Sequence, residues 1–409
     1  MTTTPAAASN PTGVPSVVCR HCHTAVPVGS FCGYCGADQN SRTGSRTALL
    51  RPGVFAVAPR EPIALPMVSS TLFPQLPPIY RNPFRIGMGI ILLGVVAFSA
   101  LRLLGPLVSL VALGVPALFV LYLWQADVWR DMPIRALVVA AAVGAVLGGG
   151  WVGLTGGLVA RSYGIPMAAG FLLQGLSGAG LIISVGGAIL MVLPAVVVRV
   201  VVRMSKTDSR ESLDGFVIGA LGSLSFTAAA TTTRLAPQFV SGLIDEVRPL
   251  RLFIEAVLYG IAVPLTAASV GGLIGIVLWF RPGRRAYEHP SAVRAALSAF
   301  TILVVVIYTA IWVIDASRLP KWPLLGLHIV MTVIALLAAR VCLQLALLHE
   351  EPDPFTGRPV LCVHCEHVVP DMPFCPACGA ANRASSRSSR RLRWESPPTR
   401  QAGTSSADV

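Results

Sequence analysis

Charged residues are scarce in this sequence of 409 residues, because Asp, Glu, Lys and Arg together make up only 12% of it. A soluble domain of that length would carry roughly a quarter charged residues, so the composition excludes an ordinary soluble enzyme. Hydrophobic residues make up 54% of the chain, and the mean hydropathy is +0.69. This composition is typical of a polytopic membrane protein with small soluble attachments.

Acidic residues are missing from the middle of the sequence, since none occurs between Arg161 and Lys206. No cluster of carboxylates or histidines stands in the middle of any long apolar run. Proton-coupled pumps and intramembrane metal sites depend on such clusters, so their absence argues against both functions. One hypothesis pairs Arg340, which lies in the last apolar run, with Asp315 or Glu255.

About eight apolar runs have the length that is needed to span a bilayer, and the count could be seven to nine. They cover residues 84–104, 107–126, 134–158, 179–203, 214–233, 252–280, 292–315 and 323–349. We therefore predict an all-α polytopic membrane bundle of about eight transmembrane helices over residues 84–349. Glycines spaced by four, as in Gly215/Gly219 and Gly271/Gly275, predict close packing of helices inside this bundle.

Nine cysteines are present, and eight of them form two sets with identical spacing. The sets are Cys19, Cys22, Cys32 and Cys35, and Cys362, Cys365, Cys375 and Cys378. Four thiolates in paired Cys-x-x-Cys turns can surround one Zn²⁺ tetrahedrally, so we predict that all eight are metal ligands in two structural zinc sites. The predicted zinc ribbons cover residues 17–37 and 360–382, one at each end of the chain. Such short segments bury no core of their own, so metal binding supplies most of their folding energy.

Two other interpretations of these cysteines stay open, namely disulfide-stapled loops and a rubredoxin-like iron site. The segments resemble the small four-cysteine zinc ribbons at the ends of bacterial membrane proteins. Four histidines near the ribbons are interpreted as surface residues or as neighbours of the ligands: His21, His23, His364 and His367. The ninth cysteine, Cys342, stands alone in an apolar run and is interpreted as a small buried hydrophobic residue.

The remaining segments are polar or rich in proline. We expect residues 1–16 and 383–409 to be disordered, because both have too little apolar content to form a core. Residues 38–83 have no sustained period and are expected to form a Pro-rich linker, and residues 350–359 a second linker. The arginines of the basic C-terminal tail are expected to contact anionic lipids.

The distribution of basic residues predicts the orientation of the bundle. With the N-terminus in the cytoplasm, the inner segments hold more Arg and Lys than the outer loops. This agrees with the positive-inside rule, and the cytosol also keeps zinc-binding thiols reduced. We therefore expect a multi-pass protein of the cell (inner or plasma) membrane with both termini in the cytoplasm.

Residues 214–226, which read DGFVIGALGSLSF, resemble the Asp-Gly helix of the PrsW-type intramembrane metalloproteases. Residues 262–272, which read AVPLTAASVGG, are similar to a later helix of that family that carries a metal-binding His. The resemblance covers about residues 134–345. This chain lacks the family's paired glutamates, and Ala230, Thr231 and Ala262 stand where its Glu-Asn and His are expected. A metalloprotease needs metal ligands and a base, so the resemblance implies a non-catalytic relative.

The architecture favours a non-enzymatic interaction, regulatory or scaffold role, in which the ribbons bind an unidentified protein partner. One alternative is a PrsW-like intramembrane protease of divergent or inactive type. Another is a transporter or channel for a neutral solute, with hydroxyls such as those of Thr231 and Thr266 along its path. Neither ribbon carries a basic and aromatic face, which argues against binding to nucleic acid. We predict no catalytic residue and no site for an organic cofactor.

Overall fold

The computed structural model describes residues 15–40, 54–166, 180–204, 211–241, 249–283, 290–315 and 320–395. Of the segments that we expect to be disordered or linkers, residues 1–14, 41–53 and 396–409 lie outside these ranges, whereas Ser16 begins a strand. Three antiparallel hairpins of two strands each lie near the ends of the chain. Their strands are β1 (Ser16–Val18), β2 (Ala25–Pro27), β3 (Val54–Phe55), β4 (Ala58–Pro62), β5 (Pro359–Leu361) and β6 (Val368–Pro370).

Helices form the rest of the described fold. They are α1 (Val68–Thr71), α2 (Pro78–Ala100), α3 (Leu104–Gln125), α4 (Val128–Asp131), α5 (Ile134–Tyr163), α6 (Gly180–Met204), α7 (Ser212–Ser241), α8 (Pro249–Val257), a π-helical segment (Leu258–Ala262), α9 (Val263–Trp279), α10 (Pro290–Asp315), α11 (Lys321–His349) and α12 (Arg387–Glu395). A short 3-10 turn, Asn382–Ala384, precedes α12. Prolines begin several of the long helices, where the missing amide hydrogen costs nothing.

Seven helices among the described residues are long and apolar enough to cross a membrane. They are α2, α3, α5, α7, the continuous helix from α8 through α9, α10 and α11. The run predicted at 179–203 coincides with α6, whose apolar part, Val185–Val200, is shorter. The described part of the chain therefore has seven candidate membrane spans, whereas we predicted about eight.

Two of these helices form the centre of the bundle. In α7 and in the helix Pro249–Trp279, 83% of the most apolar window is buried inside the protein, against 22% in α2. The outer helices α2, α3, α5 and α10 therefore present many apolar side chains outward, as helices in contact with lipid do. The central pair is shielded from lipid by its neighbours.

Glycines allow the central helices to approach closely. Gly215 and Gly219 of α7 face Gly275 and Gly271 of α9, and a Cβ at any of the four would overlap a backbone carbonyl of the other helix. Gly144 of α5 approaches the backbone of α7 in the same way. The four-residue spacing therefore serves packing inside this chain.

Part of the expected linker is folded, because residues 54–83 form β3, β4, α1 and the start of α2. The side chain of Gln344 accepts a hydrogen bond from the amide of Ala56 at 2.8 Å, and Arg81 donates to the carbonyl of Val57 at 2.8 Å. This segment thus packs against the end of the bundle where α11 ends. Strands of two and five residues are too short to show a period, which is why the sequence pattern indicated a linker.

Candidate metal centres

Each cysteine group is built on two tight turns with matching backbone hydrogen bonds. In the first ribbon the amide of Cys19 donates to Thr24 at 3.0 Å, and that of Cys32 donates to Ala37 at 2.8 Å. The second ribbon repeats these bonds at the equivalent positions. The glycine after the last cysteine has a positive φ in both ribbons, 73° at Gly36 and 78° at Gly379, which turns the backbone around the sulfur.

The sulfur atoms in each group have the spacing that one tetrahedral metal ion requires. Two pairs in the first ribbon are both 3.8 Å apart, and two pairs in the second are 3.9 Å and 3.8 Å apart. Those pairs are Cys19 with Cys35, Cys22 with Cys32, Cys362 with Cys378, and Cys365 with Cys375. Zn–S bonds of about 2.3 Å in a tetrahedron separate the sulfurs by about 3.8 Å. Both groups could therefore hold zinc, and all eight cysteines are free thiols, not the disulfide-stapled loops of the alternative interpretation.

The crowded thiols raise the pKa of the last cysteine in each group. Hydrogen bonding by the other three cysteines of its group raises the pKa of Cys35 above its ordinary value, and burial acts in the same direction. Hydrogen bonding by Cys362 and Cys375 raises the pKa of Cys378 in the same way. Four neighbouring thiolates repel one another, so the arrangement favours a shared cation over separate charges. Within the described residues, neither group of potential ligands includes a histidine.

The two ribbons pack against each other with an approximate two-fold relationship. The amide of Phe31 donates to the carbonyl of Pro376 at 3.0 Å, and the amide of Phe374 donates to that of Gly33 at 2.9 Å. The two bonds are equivalent, because Phe31 and Gly33 occupy the same positions in the first ribbon as Phe374 and Pro376 in the second. The ring of Phe31 also lies where a Cβ on Gly379 would be, and the ring of Phe374 lies over the equivalent glycine of the first ribbon. We call this unit of residues 15–40 and 359–382 the head.

The head is attached to the bundle through the segment that follows the second ribbon. The amide of Ala381 donates to the carbonyl of Ala56 at 2.8 Å, which joins the head to the hairpin β3–β4. The carboxylate of Asp131 in α4 then accepts bonds from the first amides of α12, at 2.5 Å from Arg387 and 2.8 Å from Ser388. An acidic side chain at a helix N-terminus accepts hydrogen bonds from amides that have no partner within the helix. Its negative charge also interacts favourably with the helix dipole.

Three arginines of this segment contact a group of four acids, three of them buried, which we call the ionic cluster. Its members are Arg383, Arg387 and Arg390 with Glu211, Asp214, Glu350 and Asp353. Arg383 lies 2.8 Å from Glu350 and 2.7 Å from Asp353, and Arg387 lies 2.9 Å from Glu211. The cluster connects the start of α7, the end of α11 and the C-terminal segment. Buried ion pairs of this kind tolerate loss of one partner poorly.

Burial and the charge of Arg383 shift the pKa values of two acids of the cluster in opposite directions. Burial raises the pKa of Glu350 to about 7, while the guanidinium of Arg383 counteracts it. Burial would also raise the pKa of Asp353, but the hydrogen bond and charge of Arg383 hold it below its usual value. The hydroxyl and amide of Ser212 both donate to Glu350, at 2.9 Å and 2.8 Å. One carboxylate oxygen of Glu350 therefore accepts two hydrogen bonds besides its contact with Arg383.

The C-terminal segment differs from the disordered basic tail that we expected. Residues 383–395 are ordered as part of the 3-10 turn and α12, because Arg383, Arg387 and Arg390 find buried acids. Composition alone cannot reveal partners that lie 170 residues or more away in sequence, such as Glu211 for Arg387. On the surface of α12 the exposed side chains include Leu392 and Trp394.

The pairing of Arg340 with Asp315 or Glu255 is wrong. Arg340 lies 3.1 Å from the carboxylate of Glu61, in the segment that we expected to be a linker. Glu255 instead lies 3.2 Å from Arg251 and 3.4 Å from Lys321. The partner was missed because the sequence pattern did not indicate that residues 54–83 fold onto the bundle.

Comparison of the chain with family models, with curated proteins and with solved structures finds no match. The resemblance to the PrsW-type proteases and the bacterial character of the ribbons therefore gain no support from these comparisons. The geometry of the cysteines and the contacts of the head carry the functional argument.

Proposed function

We propose that this chain is a multi-pass protein of the cell (inner or plasma) membrane, in which each cysteine group binds one structural zinc ion. The observation that carries the proposal is the 3.8–3.9 Å spacing of the sulfur pairs in both groups. Four cysteine ligands leave no coordination position for water or substrate, so the zinc ions stabilise the fold and do not catalyse. The role is non-enzymatic, in interaction, regulation or scaffolding.

The head is the part of the protein that meets the partner. Both ribbons expose apolar side chains on their hairpins, notably Val18, Leu361 and Val368. Val18 and Leu361 occupy equivalent positions of the repeat, so the head presents two similar apolar edges on a rigid support. Apolar side chains on a small, metal-stabilised surface suit a protein partner better than a nucleic acid.

A cytoplasmic location of both termini is supported by two independent features. Free thiols in metal-ligand geometry require a reducing compartment. The excess of Arg and Lys in the inner segments favours the same orientation. Because the ribbons pack against each other, both ends of the chain lie on one side of the membrane, which requires an even number of crossings. The shorter apolar helix α6 then supplies the eighth crossing beside the seven long helices.

The alternative activities have less support. At the positions where PrsW-type proteases carry ligands, this chain has Ala230, Thr231 and Ala262, and within the described residues the only groups of potential metal ligands are the two cysteine sets. A PrsW-like relative would therefore be inactive. One observation supports the passage of a neutral solute, which is a cleft between helices that Thr227 and Thr231 help to line.

Zinc content tests the proposal directly. We expect two zinc ions per purified wild-type chain, and one after Cys32→Ser with Cys35→Ser or after Cys375→Ser with Cys378→Ser. Removing two of four thiolates leaves too few ligands for a stable site. Cys342→Ala is the matched control and keeps both ions, because Cys342 is buried in α11 and belongs to neither cysteine group.

Elemental analysis by mass spectrometry measures the metal, and iron in place of zinc would support the rubredoxin-like interpretation instead. Loss of zinc in the Cys342 variant, or unchanged zinc in a ribbon variant, contradicts the assignment. In-cell crosslinking with wild-type and ribbon variants then tests the interaction role. Partners captured by the wild type are expected to be lost when either zinc site is removed.

A further inference from the structure

The two cysteine groups differ in how much of each cysteine the rest of the protein covers. All four cysteines of the first group are buried, with exposed fractions of 9% or less. In the second group Cys362 and Cys375 are buried, whereas Cys365 and Cys378 are partly exposed. The spacing and the backbone hydrogen bonds of the two ribbons match, so the difference comes from the residues that pack around each group.

Large side chains cover the first group, and the equivalent positions of the repeat hold small residues. Tyr34 and Met372 pack against the first group, and the ring centre of Tyr34 lies 6.2 Å from that of Phe355. In the repeat, Ala377 occupies the position of Tyr34, and Gly29 occupies that of Met372. Alanine and glycine are too small to provide the same cover, so two cysteines of the second group stay partly exposed.

A small cleft reaches the other two cysteines of the second group. Cys362 and Cys375 line it together with His364, Ser385 and Arg393. Its volume is about 30 Å³, which is enough for a molecule of the size of water or hydrogen peroxide. Arg393 donates a hydrogen bond to the hydroxyl of Ser385 at 2.9 Å, which holds its positive charge beside the cleft.

Partial exposure and nearby positive charge distinguish reactive cysteines from inert structural ones. The second group has both features, because Arg393 is close enough to Cys362 for their charges to attract each other. The first group lacks the exposure. The same arrangement of four thiols is therefore protected in one ribbon and open to small reagents in the other.

We propose that Cys365 and Cys378 form a reactive pair, which a peroxide oxidises to a disulfide before any cysteine of the first group reacts. The sulfur atoms of the second group all lie within 4.8 Å of one another, so the pair closes by a small movement of side chains. The position of the pair in the less covered ribbon carries the proposal.

The oxidation takes place in two steps. The Sγ atom of Cys365 attacks one oxygen of the peroxide, the O–O bond breaks, and a sulfenic acid and one water form. The Sγ atom of Cys378 then attacks the sulfur of the sulfenic acid, an S–S bond forms, and a second water leaves. The two thiols lose two electrons and two protons, and the peroxide is reduced to two waters.

The disulfide leaves the second group with two thiol ligands, which are too few for a stable zinc site. Peroxide is therefore expected to release one of the two zinc ions and to leave the first group with its metal. This consequence rests on the zinc binding proposed above. The order in which the cysteines are oxidised does not depend on it.

Treatment of the full-length protein with hydrogen peroxide in detergent tests the proposal. Samples are alkylated at intervals and digested without reduction, and mass spectrometry then identifies each disulfide. A chromogenic chelator measures the zinc that is released into the same samples. We expect the disulfide between Cys365 and Cys378 to form about tenfold faster than any disulfide of the first group, because exposure controls the access of the oxidant.

Two substitutions exchange the cover between the ribbons. Tyr34→Ala uncovers the first group and is expected to raise its rate of oxidation toward that of the second. Ala377→Tyr places a ring at the equivalent exposed position of the second ribbon, and is expected to slow the oxidation of Cys365 and Cys378 severalfold. Cys342→Ala is the matched control, since this thiol belongs to neither group, and it is expected to behave like the wild type.

Oxidation of both groups at equal rates, or of the first group before the second, overturns the proposal. A first disulfide between Cys362 and Cys375 overturns the assignment of the reactive pair. The wild-type chain alone decides both points, so the test does not depend on the folding of a variant. A purified chain without zinc contradicts the proposed function instead, and the order of oxidation still decides this inference.

Discussion

Arg340 shows how a single buried charge joins distant parts of this chain. It is fully buried in α11, and its guanidinium contacts the carboxylate of Glu61 at 3.1 Å and the hydroxyl of Ser70 at 2.6 Å. The ring of Phe55 lies 3.9 Å from its guanidinium carbon. An isolated charge would be costly here, so these partners explain why the segment before α2 folds onto the bundle.

Replacement of this arginine is expected to destabilise the protein by about 3 kcal/mol, because it breaks a buried, hydrogen-bonded pair. We predict that Arg340→Met lowers the thermal unfolding temperature in detergent by several degrees. Arg85→Met is the control, since Arg85 lies 2.9 Å from the same Glu61 but is 47% exposed. Exposed pairs contribute about 0–1 kcal/mol, and equal effects of the two variants contradict this explanation.

At the scale of elements, the positions of glycines set the distance between helices. Gly219 of α7 and Gly271 of α9 place two backbones in contact, whereas Gly153 of α5 has no heavy atom near its missing Cβ. All three lie in pairs with the same four-residue spacing. The spacing predicts close packing, but only the arrangement of helices decides which pairs are used.

We predict that Gly219→Ala lowers the yield and unfolding temperature of the folded protein, because its Cβ would overlap the carbonyl of Gly271. Gly153→Ala is expected to be neutral or slightly stabilising, since alanine favours a helix by about 1 kcal/mol over glycine. Size-exclusion profiles and thermal unfolding in detergent measure both effects. A Gly219 variant as stable as the wild type would show that the two helices do not need this close approach.

At the scale of the whole molecule, the two ends of the chain meet in the head. Each ribbon packs a phenylalanine ring against the other, and the ionic cluster then fixes the C-terminal segment to the start of α7 and the end of α11. The membrane helices lie between these ends in sequence, so the head closes the chain into a loop. Changes in one ribbon should therefore be transmitted to the other.

Hydrogen exchange tests this coupling. With Cys32→Ser and Cys35→Ser, we expect the amide of Phe374 to lose protection, because its acceptor is Gly33 of the altered ribbon. The amide of Cys362 is the internal control, since its acceptor, His367, belongs to the second ribbon, which keeps its four cysteines. Unchanged protection at Phe374 would mean that the ribbons are independent, and equal loss at both amides would mean that the second ribbon unfolds.

Local sequence patterns were sufficient to predict much of the fold and both candidate metal sites. The paired Cys-x-x-Cys spacing identifies all eight cysteines that the structure brings together in two groups. This was possible because each Cys-x-x-Cys turn is formed by a few adjacent residues. The apolar runs locate the helices for a similar reason, since the length of a span follows from the thickness of the bilayer. No local sequence pattern predicted three contacts between distant residues. These are the packing of the Phe31 ring on the second ribbon, the buried acids around Arg387 and the pairing of Arg340.

The amino-acid order alone thus determined where the long apolar helices lie, which thiols form one group and how apolar the body is, because those properties depend on neighbours along the chain. Only the folded arrangement decided that residues 54–83 and 383–395 are ordered, that the ribbons interlock, and that Arg340 pairs with Glu61. Each of these depends on the free energy of contacts between groups that are far apart in sequence, and no local periodicity encodes which distant groups will meet.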